Sequence, residues 1–252
     1  MKCAQMAADP STAFDSPVTS PTLPVHIAVV MDGNRRWATD HGLTPAEGYR
    51  AGTDALRSLL GYALAASIPY VTVYALSTEN LQRDPEELGG LLTVLAKGFA
   101  KHREELGALG IRLHIAGRVD GLPADLRDEL PALQRSGSGD AALTLTVCVG
   151  YGGRAEIAAA AQAMARDAID GHLDPAAVNE CTFARYLYRP ELPDVDLLIR
   201  TAGEQRLSNF LLWQTAYAEL VFTDKCWPDF GETDFQQALT AFAGRTRRFG
   251  IT

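Results

Sequence analysis

An α/β fold, with a central mostly parallel sheet surrounded by helices, is predicted by three observations on this sequence. Short β-branched runs alternate with longer helix-patterned stretches, which is the mark of a parallel sheet wrapped by helices. The first such run is short and, apart from His26, apolar, which is the pattern of a strand buried on both faces. The chain has 252 residues, 47% hydrophobic and 21% charged, enough to build one large core. Residues 1–24, rich in Ala, Ser, Thr, Pro and Asp, are expected to be a disordered arm, and 25–252 a single domain.

Taken in order, Val25 to Met31 is a buried strand broken by Gly33-Asn34, with a helix expected from near Arg35. Tyr49 to Ala66 has a helical pattern, and Tyr70 to Leu76 that of a strand. Pro85 to about Leu109 is a long helix whose Leu88, Leu91, Leu92, Leu95 and Phe99 fall at steps of three and four and form one apolar stripe. Such a stripe is ordinarily core, although Gly89-Gly90 beside it suggests that something needs room. Ile111 to Ala116 and Leu143 to Val149 are strands, separated by a polar loop over Ser136 to Asp140. Arg154 to Ile169 is an Ala-rich helix, Val195 to Arg200 a strand, Phe210 to Glu219 a mixed segment, and Phe235 to Phe242 a closing helix.

The net charge of −8 argues against a nucleic-acid partner, so any anion must be caught locally. No stretch reaches the roughly 18 apolar residues that span a bilayer, so no stable membrane insertion is expected. Cys3, Cys148, Cys181 and Cys226 lack metal-ligand spacing and read as reduced, mostly packing thiols in a cytoplasmic protein.

Three strand ends carry chemistry. After the first strand, Asp32-Gly33-Asn34-Arg35-Arg36-Trp37 sets a carboxylate, turn residues and two guanidiniums where the N–H groups of a helix start can meet an anion and Asp32 can hold a divalent cation against it. After the second come Ser77, Glu79, Asn80 and Arg83. After Val195 to Arg200 come Arg206, Ser208 and Asn209, so two arginines and a hydroxyl can converge on one diphosphate. A bland alternative exists for each: an ordinary Asp-Gly turn, a surface pair of Arg200 with Glu204, and Ser208-Asn209 as a helix cap. Three polar strand ends in one acidic chain argue against coincidence.

These residues also resemble the cis-prenyltransferases, the family that includes undecaprenyl diphosphate synthase. The resemblance runs from Val25 to Gly250. It rests on His26-Ile-Ala-Val-Val-Met-Asp-Gly-Asn-Arg-Arg-Trp-Ala38, Tyr74-Ala-Leu-Ser-Thr-Glu-Asn80, Tyr151-Gly-Gly-Arg154, Arg200 through Gln214, and Trp227-Pro-Asp-Phe230, five motifs in order. It implies a homodimer, an apolar tunnel through the α/β fold, dependence on Mg²⁺ and coupling of isoprenoid diphosphates. Carried over by position, it implies Asp32, Ser77 and Asn80 as catalytic residues and Asp32 with Glu219 as metal ligands. It implies a donor diphosphate cradled by Gly33, Asn34, Arg35, Arg36 and Arg83, and an acceptor diphosphate on Arg200, Arg206 and Ser208. Trp37, Tyr49, Glu79 and Leu81 would also bind substrate, and Arg248 with Gly250 would reach across the dimer.

The chain departs from the family at identifiable positions. Where members commonly read Arg-x-x-Gly-His, it has Pro45-Ala-Glu-Gly48-Tyr49; Leu81 stands for a usual Trp, and Gly150 for a usual Asn. A lost guanidinium removes a charge-assisted bond worth roughly 1.5–3 kcal/mol, and a lost histidine changes what can relay a proton near neutral pH. The pattern favours irregular head-to-middle, lavandulyl-type coupling of dimethylallyl units over regular short-chain elongation with isopentenyl diphosphate. An intact Asp32 run argues against a non-catalytic partner subunit.

Overall fold

The computed structural model describes residues 23–82, 104–119 and 141–245, together with 89, 93, 94, 98, 102 and 127. Among these, the strands are β1 (His26–Val30), β2 (Tyr70–Ser77), β3 (Ile111–Ala116), β4 (Leu143–Tyr151), β5 (Leu197–Arg200) and β6 (Glu219–Phe222). The helices are α1 (Asn34–Asp40), α2 (Pro45–Ala65), α3 (Gly153–Ile169), α4 (Glu180–Ala184) and α5 (Glu232–Ala243), with 3₁₀ turns at Glu79–Gln82 and Trp227–Asp229. The strands lie in the order β3-β4-β2-β1-β5-β6, and every neighbouring pair is parallel.

Alternation along the strands divides the core. Ile27, Val29, Val71, Val73, Leu145, Leu197 and Ile199 face one way, into a cluster with Leu59 and Leu60 of α2 and Phe235 and Phe242 of α5. Ala28, Val30, Cys148 and Leu198 face the other way, against Val195, Tyr151 and Phe210. The chain leaves β1 to build β2, β4 and β3 on one side, then returns to place β5 on the other. The sheet's topological switch therefore lies between β1 and β5, and the crevice at their carboxyl ends is where an open α/β sheet binds ligands.

Several boundaries differ from expectation, each for a local reason. Helix α2 starts at Pro45, four residues before Tyr49, because Thr44 and Glu47 form a reciprocal cap: the Glu47 N–H donates to Thr44 Oγ1 at 3.4 Å and the Thr44 N–H to Glu47 Oε2 at 2.8 Å. The mixed segment resolves into turns followed by β6, with Glu219 as its first residue. The helical residues 104–108 and isolated helical positions from Gly89 agree with the long helix, but its apolar stripe, the 1–22 part of the arm and the 136–140 loop lie outside the described residues. A Cβ on Gly98 would stand 3.3 Å from Thr53 Cγ2. Cys148 and Cys226 are free thiols, whereas Cys181 is disulfide-bonded, which corrects the reading of four reduced cysteines. No helix among the described residues is long and apolar enough to cross a membrane.

Candidate active site

A cavity of about 780 Å³ occupies the switch-point crevice. Its polar wall comes from Asp32–Arg36, Ser77, Glu79, Asn80, Arg200, Glu204, Arg206, Ser208 and Asn209, and its apolar wall from Val30, Met31, Leu56, Leu76 and Val94.

Asp32 and Arg200 meet there because Val30 and Arg200 are register partners at the ends of β1 and β5. Arg200 Nε and Nη2 donate to Asp32 Oδ2 at 3.0 and 2.8 Å, and its Nη1 donates to Ser208 Oγ at 2.8 Å and to the Arg206 carbonyl. The Arg200 side chain is only 3% exposed, and Asp32, 36% exposed, shares its charge with the cavity. Arg200 therefore acts first as a brace between Asp32 and the 206–208 loop. The expected Arg200–Glu204 surface pair does not form. Instead, Arg206 donates to Glu204, and Arg36 Nη2 lies 3.8 Å from Glu204 Oε1.

The turn after β1 is held from below. Gly33 has φ +102°, and a Cβ there would stand 2.9 Å from the Cα, Cβ and Sγ of Cys226, so both the conformation and the close approach call for glycine. The Asp32 carbonyl accepts from the Trp227 N–H at 2.9 Å and from Thr201 Oγ1 at 2.7 Å. Trp227, nearly fully buried, donates its indole N–H to the Gly52 carbonyl at 2.7 Å and so ties α2 to this turn. Asn34 donates Nδ2 to the Met31 carbonyl at 2.9 Å, while its Oδ1 and the Tyr49 hydroxyl are buried on the cavity wall without a hydrogen-bond partner among the described residues. Orphaned buried polar atoms of this kind await a ligand or water.

Asn209 joins three motifs, with its backbone at φ +64°. Its Nδ2 donates to Glu79 Oε1 at 3.0 Å, its Oδ1 accepts from the Arg154 N–H at 2.8 Å, and its carbonyl accepts from the Gly153 N–H at 2.7 Å. The cap foreseen at Ser208-Asn209 is real, but it serves the start of α3. Burial opposes the charge on Glu79, yet hydrogen bonds from its own backbone, Asn209, Thr78 and Ser77 outweigh this and hold its carboxyl below the usual range. The Asn80 N–H donates to Ser77 Oγ at 3.0 Å, setting both at the cavity wall. Tyr74 stacks on Phe210 at 4.4 Å, and burial raises its hydroxyl above the ordinary range, so it stays a neutral lining group.

Other expected site residues lie elsewhere. Trp37 is outside the cavity lining: it stacks on His41 at 4.3 Å and donates to Asp229 at 2.7 Å, which fixes α1. Leu81 packs against the core beside Gly150, also outside the lining. Glu219 opens β6, paired with Leu197 at the amino end of β5, and accepts from Arg245 Nη1 at 2.7 Å. Asp32 follows the carboxyl end of β1, about 15 Å away along the strands, so within one chain the two cannot share an ion. Arg83, Arg248 and Gly250 lie outside the described residues. Among the described residues no group of three or more His, Cys, Asp or Glu could hold a metal by itself. A single carboxylate can hold Mg²⁺ only with substrate phosphates and water completing its shell, and Asp32 is the carboxylate that lines the cavity at the start of α1.

Comparison with known proteins agrees with this geometry. Residues 30–250 match the family model described as putative undecaprenyl diphosphate synthase. The chain belongs to that family. It is 48% identical over 241 residues to a trans,polycis-polyprenyl diphosphate synthase of Thermobifida fusca, covering 96% of this chain and 86% of the relative. It is 42% identical over 240 residues to a decaprenyl diphosphate synthase of Mycolicibacterium smegmatis, covering 95% and 82%. The crystal structure of lavandulyl diphosphate synthase from Lavandula x intermedia, in complex with dimethylallyl diphosphate, superimposes with a TM-score of 0.88 at 35% identity, covering 91% of this chain and 99% of that one. As a member of the undecaprenyl diphosphate synthase family the chain is an enzyme, a prenyltransferase. Within that family frame, Tyr74 and Glu204 are wall residues that lie inside the quoted motifs but were given no site role there. Only the sheet register and loop geometry bring them to the crevice.

Proposed function

We propose that this prenyltransferase joins dimethylallyl-type C5 diphosphates head to middle, giving a short branched product. The observation that carries the reading is Tyr49: its hydroxyl is buried on the cavity wall without a partner among the described residues, at the position where the family resemblance leads one to expect histidine. A phenol there can donate a hydrogen bond but does not take up a proton near neutral pH as imidazole does. The structural likeness to a lavandulyl diphosphate synthase supports the same reading.

In this scheme the donor diphosphate lies against the start of α1, where backbone N–H groups, Arg35 and Arg36 receive it beside Asp32. The acceptor diphosphate lies against Arg206 and Ser208, with Arg200 fixing both sides through Asp32 and Ser208. Breaking the carbon–oxygen bond of the donor places negative charge on the leaving diphosphate, which the guanidiniums stabilise. Mg²⁺ held at Asp32 would add Lewis-acid neutralisation of that charge. The acceptor's double bond attacks the allylic cation among Val30, Leu56, Leu76 and Val94, which keep water away, and the new cation loses a proton to the departed diphosphate as the coupled alkene forms. We further propose a homodimer that acts in the cytoplasm without membrane insertion.

Regular elongation with isopentenyl diphosphate is the second reading, and the names of the polyprenyl and decaprenyl relatives favour it. Incubation with Mg²⁺ and dimethylallyl diphosphate alone, followed by identification of the dephosphorylated alcohols, separates the two. A branched ten-carbon alcohol is expected. Product formed only after isopentenyl diphosphate is added would overturn the irregular reading.

A further inference from the structure

The charged groups at the polar end of the cavity fall into two sets. Asp32 and Arg200 are braced by β1, β5 and Ser208, with Arg200 almost wholly buried. Glu204 belongs to a looser set. Its Oε2 accepts from Arg206, and its Oε1 lies 3.8 Å from Arg36 Nη2, so its two oxygens are divided between guanidiniums of the 201–209 loop and of α1. Arg36 and Arg206 are 56% and 59% exposed, against 31% for Glu204. The backbone under Glu204 is fixed, because the Ala202 N–H donates to the Lys225 carbonyl at 2.7 Å and the Gly203 N–H to the Thr223 carbonyl at 2.9 Å. The Arg36 guanidinium is also anchored, its Nη1 donating to the Ala202 carbonyl at 3.1 Å. From this fixed backbone the Glu204 side chain reaches both guanidiniums. Two cations from separate elements converging on two oxygens of one anionic group is the arrangement that suits a phosphoryl group.

We propose that Glu204 is an internal counter-ion that competes with diphosphate for Arg36 and Arg206. It neutralises them while the site is free, is displaced when a diphosphate enters, and reclaims them as inorganic diphosphate leaves. The inference rests on the reading of this cavity as the diphosphate site. Exposed ion pairs are individually weak, so the competition is a matter of several-fold, enough to tune affinity without blocking the site. It also gives the wall a reason to hold a carboxylate that would otherwise only repel an anionic substrate.

The test uses the full chain and inorganic pyrophosphate as the probe, in the presence of Mg²⁺. Calorimetric titration should show Glu204→Gln binding pyrophosphate about 3- to 10-fold more tightly than the unaltered protein. Product inhibition by pyrophosphate should strengthen by the same factor. Glu204→Asp, which keeps the charge but withdraws it by one methylene, should fall between the two. Unchanged or weaker binding by a folded Glu204→Gln would overturn the proposal, because Glu204 would then serve only to orient Arg206. If the unaltered protein and the variant both fail to bind pyrophosphate, the reading of the cavity itself falls.

Discussion

Asp32 braces a buried arginine and also lines the cavity, so one substitution there probes the fold and the proposed chemistry together. Arg200 is buried to 3% exposure and places two of its donors on Asp32 Oδ2. Removing the partner of a fully buried charge costs about 3–5 kcal/mol. Because Asp32 itself is 36% exposed and water can enter beside it, Asp32→Ala should cost less, about 2 kcal/mol, read as a shift in the urea midpoint. On the proposed function, turnover should fall further than stability suggests, by about 100-fold or more, since the leaving diphosphate then loses the carboxylate proposed to hold Mg²⁺ beside it. Normal turnover in a destabilised Asp32→Ala protein would leave Asp32 with only its bracing role. Sequence reading found this residue because Asp-Gly-Asn-Arg-Arg follows a buried strand. It could not find the Arg200 brace, which depends on Val30 and Arg200 being register partners although 170 positions separate them.

Elements, in turn, were legible where a local signal fixes them and obscure where tertiary pairing does. Strands β1, β2, β3 and β5 were readable as short apolar runs, and α3 as an Ala-rich stretch. The Thr44-Pro45-Ala46-Glu47 cap was equally local, and the start of α2 could have been read from it. Strand β6 could not: Glu-Leu-Val-Phe is only four residues long and half-buried, and it becomes a strand by pairing with β5. The start of α3 shows the same dependence, since its first N–H groups are satisfied by Asn209, more than fifty residues away. Helix caps contribute about 1 kcal/mol, so Asn209→Ala should lower stability by roughly that amount. It should also release Glu79, which loses its Asn209 bond, and the carboxyl of Glu79 should then titrate nearer its ordinary range. Urea unfolding reads the first effect, and carboxyl-carbon NMR across an acid titration reads the second. An Asn209→Ala protein of unchanged stability would show that the cap is replaced by water at no cost.

At the scale of the whole molecule, a polar row under the sheet links the opening strand to the segment before β5. His26 begins β1 at 1% exposure, and the Pro193 carbonyl, which can only accept, takes its Nδ1–H at 2.7 Å. Nε2 is therefore the unprotonated nitrogen and accepts from Thr72 Oγ1 at 2.7 Å. Asp196 adds two bonds, its Oδ2 accepting from the Val25 and His26 N–H groups at 2.8 and 3.1 Å. Burial outweighs the favourable pull of Pro193 and Asp196 and lowers the His26 pKa from 6.5 to about 4. As the pH falls below 6.5 the unfolded chain takes up a proton at His26 that the native protein refuses, so stability drops with falling pH until about 4, where both states are charged. Between pH 7 and pH 5 this single group should remove about 2 kcal/mol of stability. Carboxylates such as Glu79, whose native pKa is lowered, add their own loss at more acid pH, so the wild-type curve alone does not isolate the histidine. The comparison that does is His26→Gln, which cannot titrate. Its stability should start lower at pH 7 but decline about 2 kcal/mol less between pH 7 and pH 5 in urea melts, and parallel declines would mean that His26 is solvated and protonates freely in the folded protein.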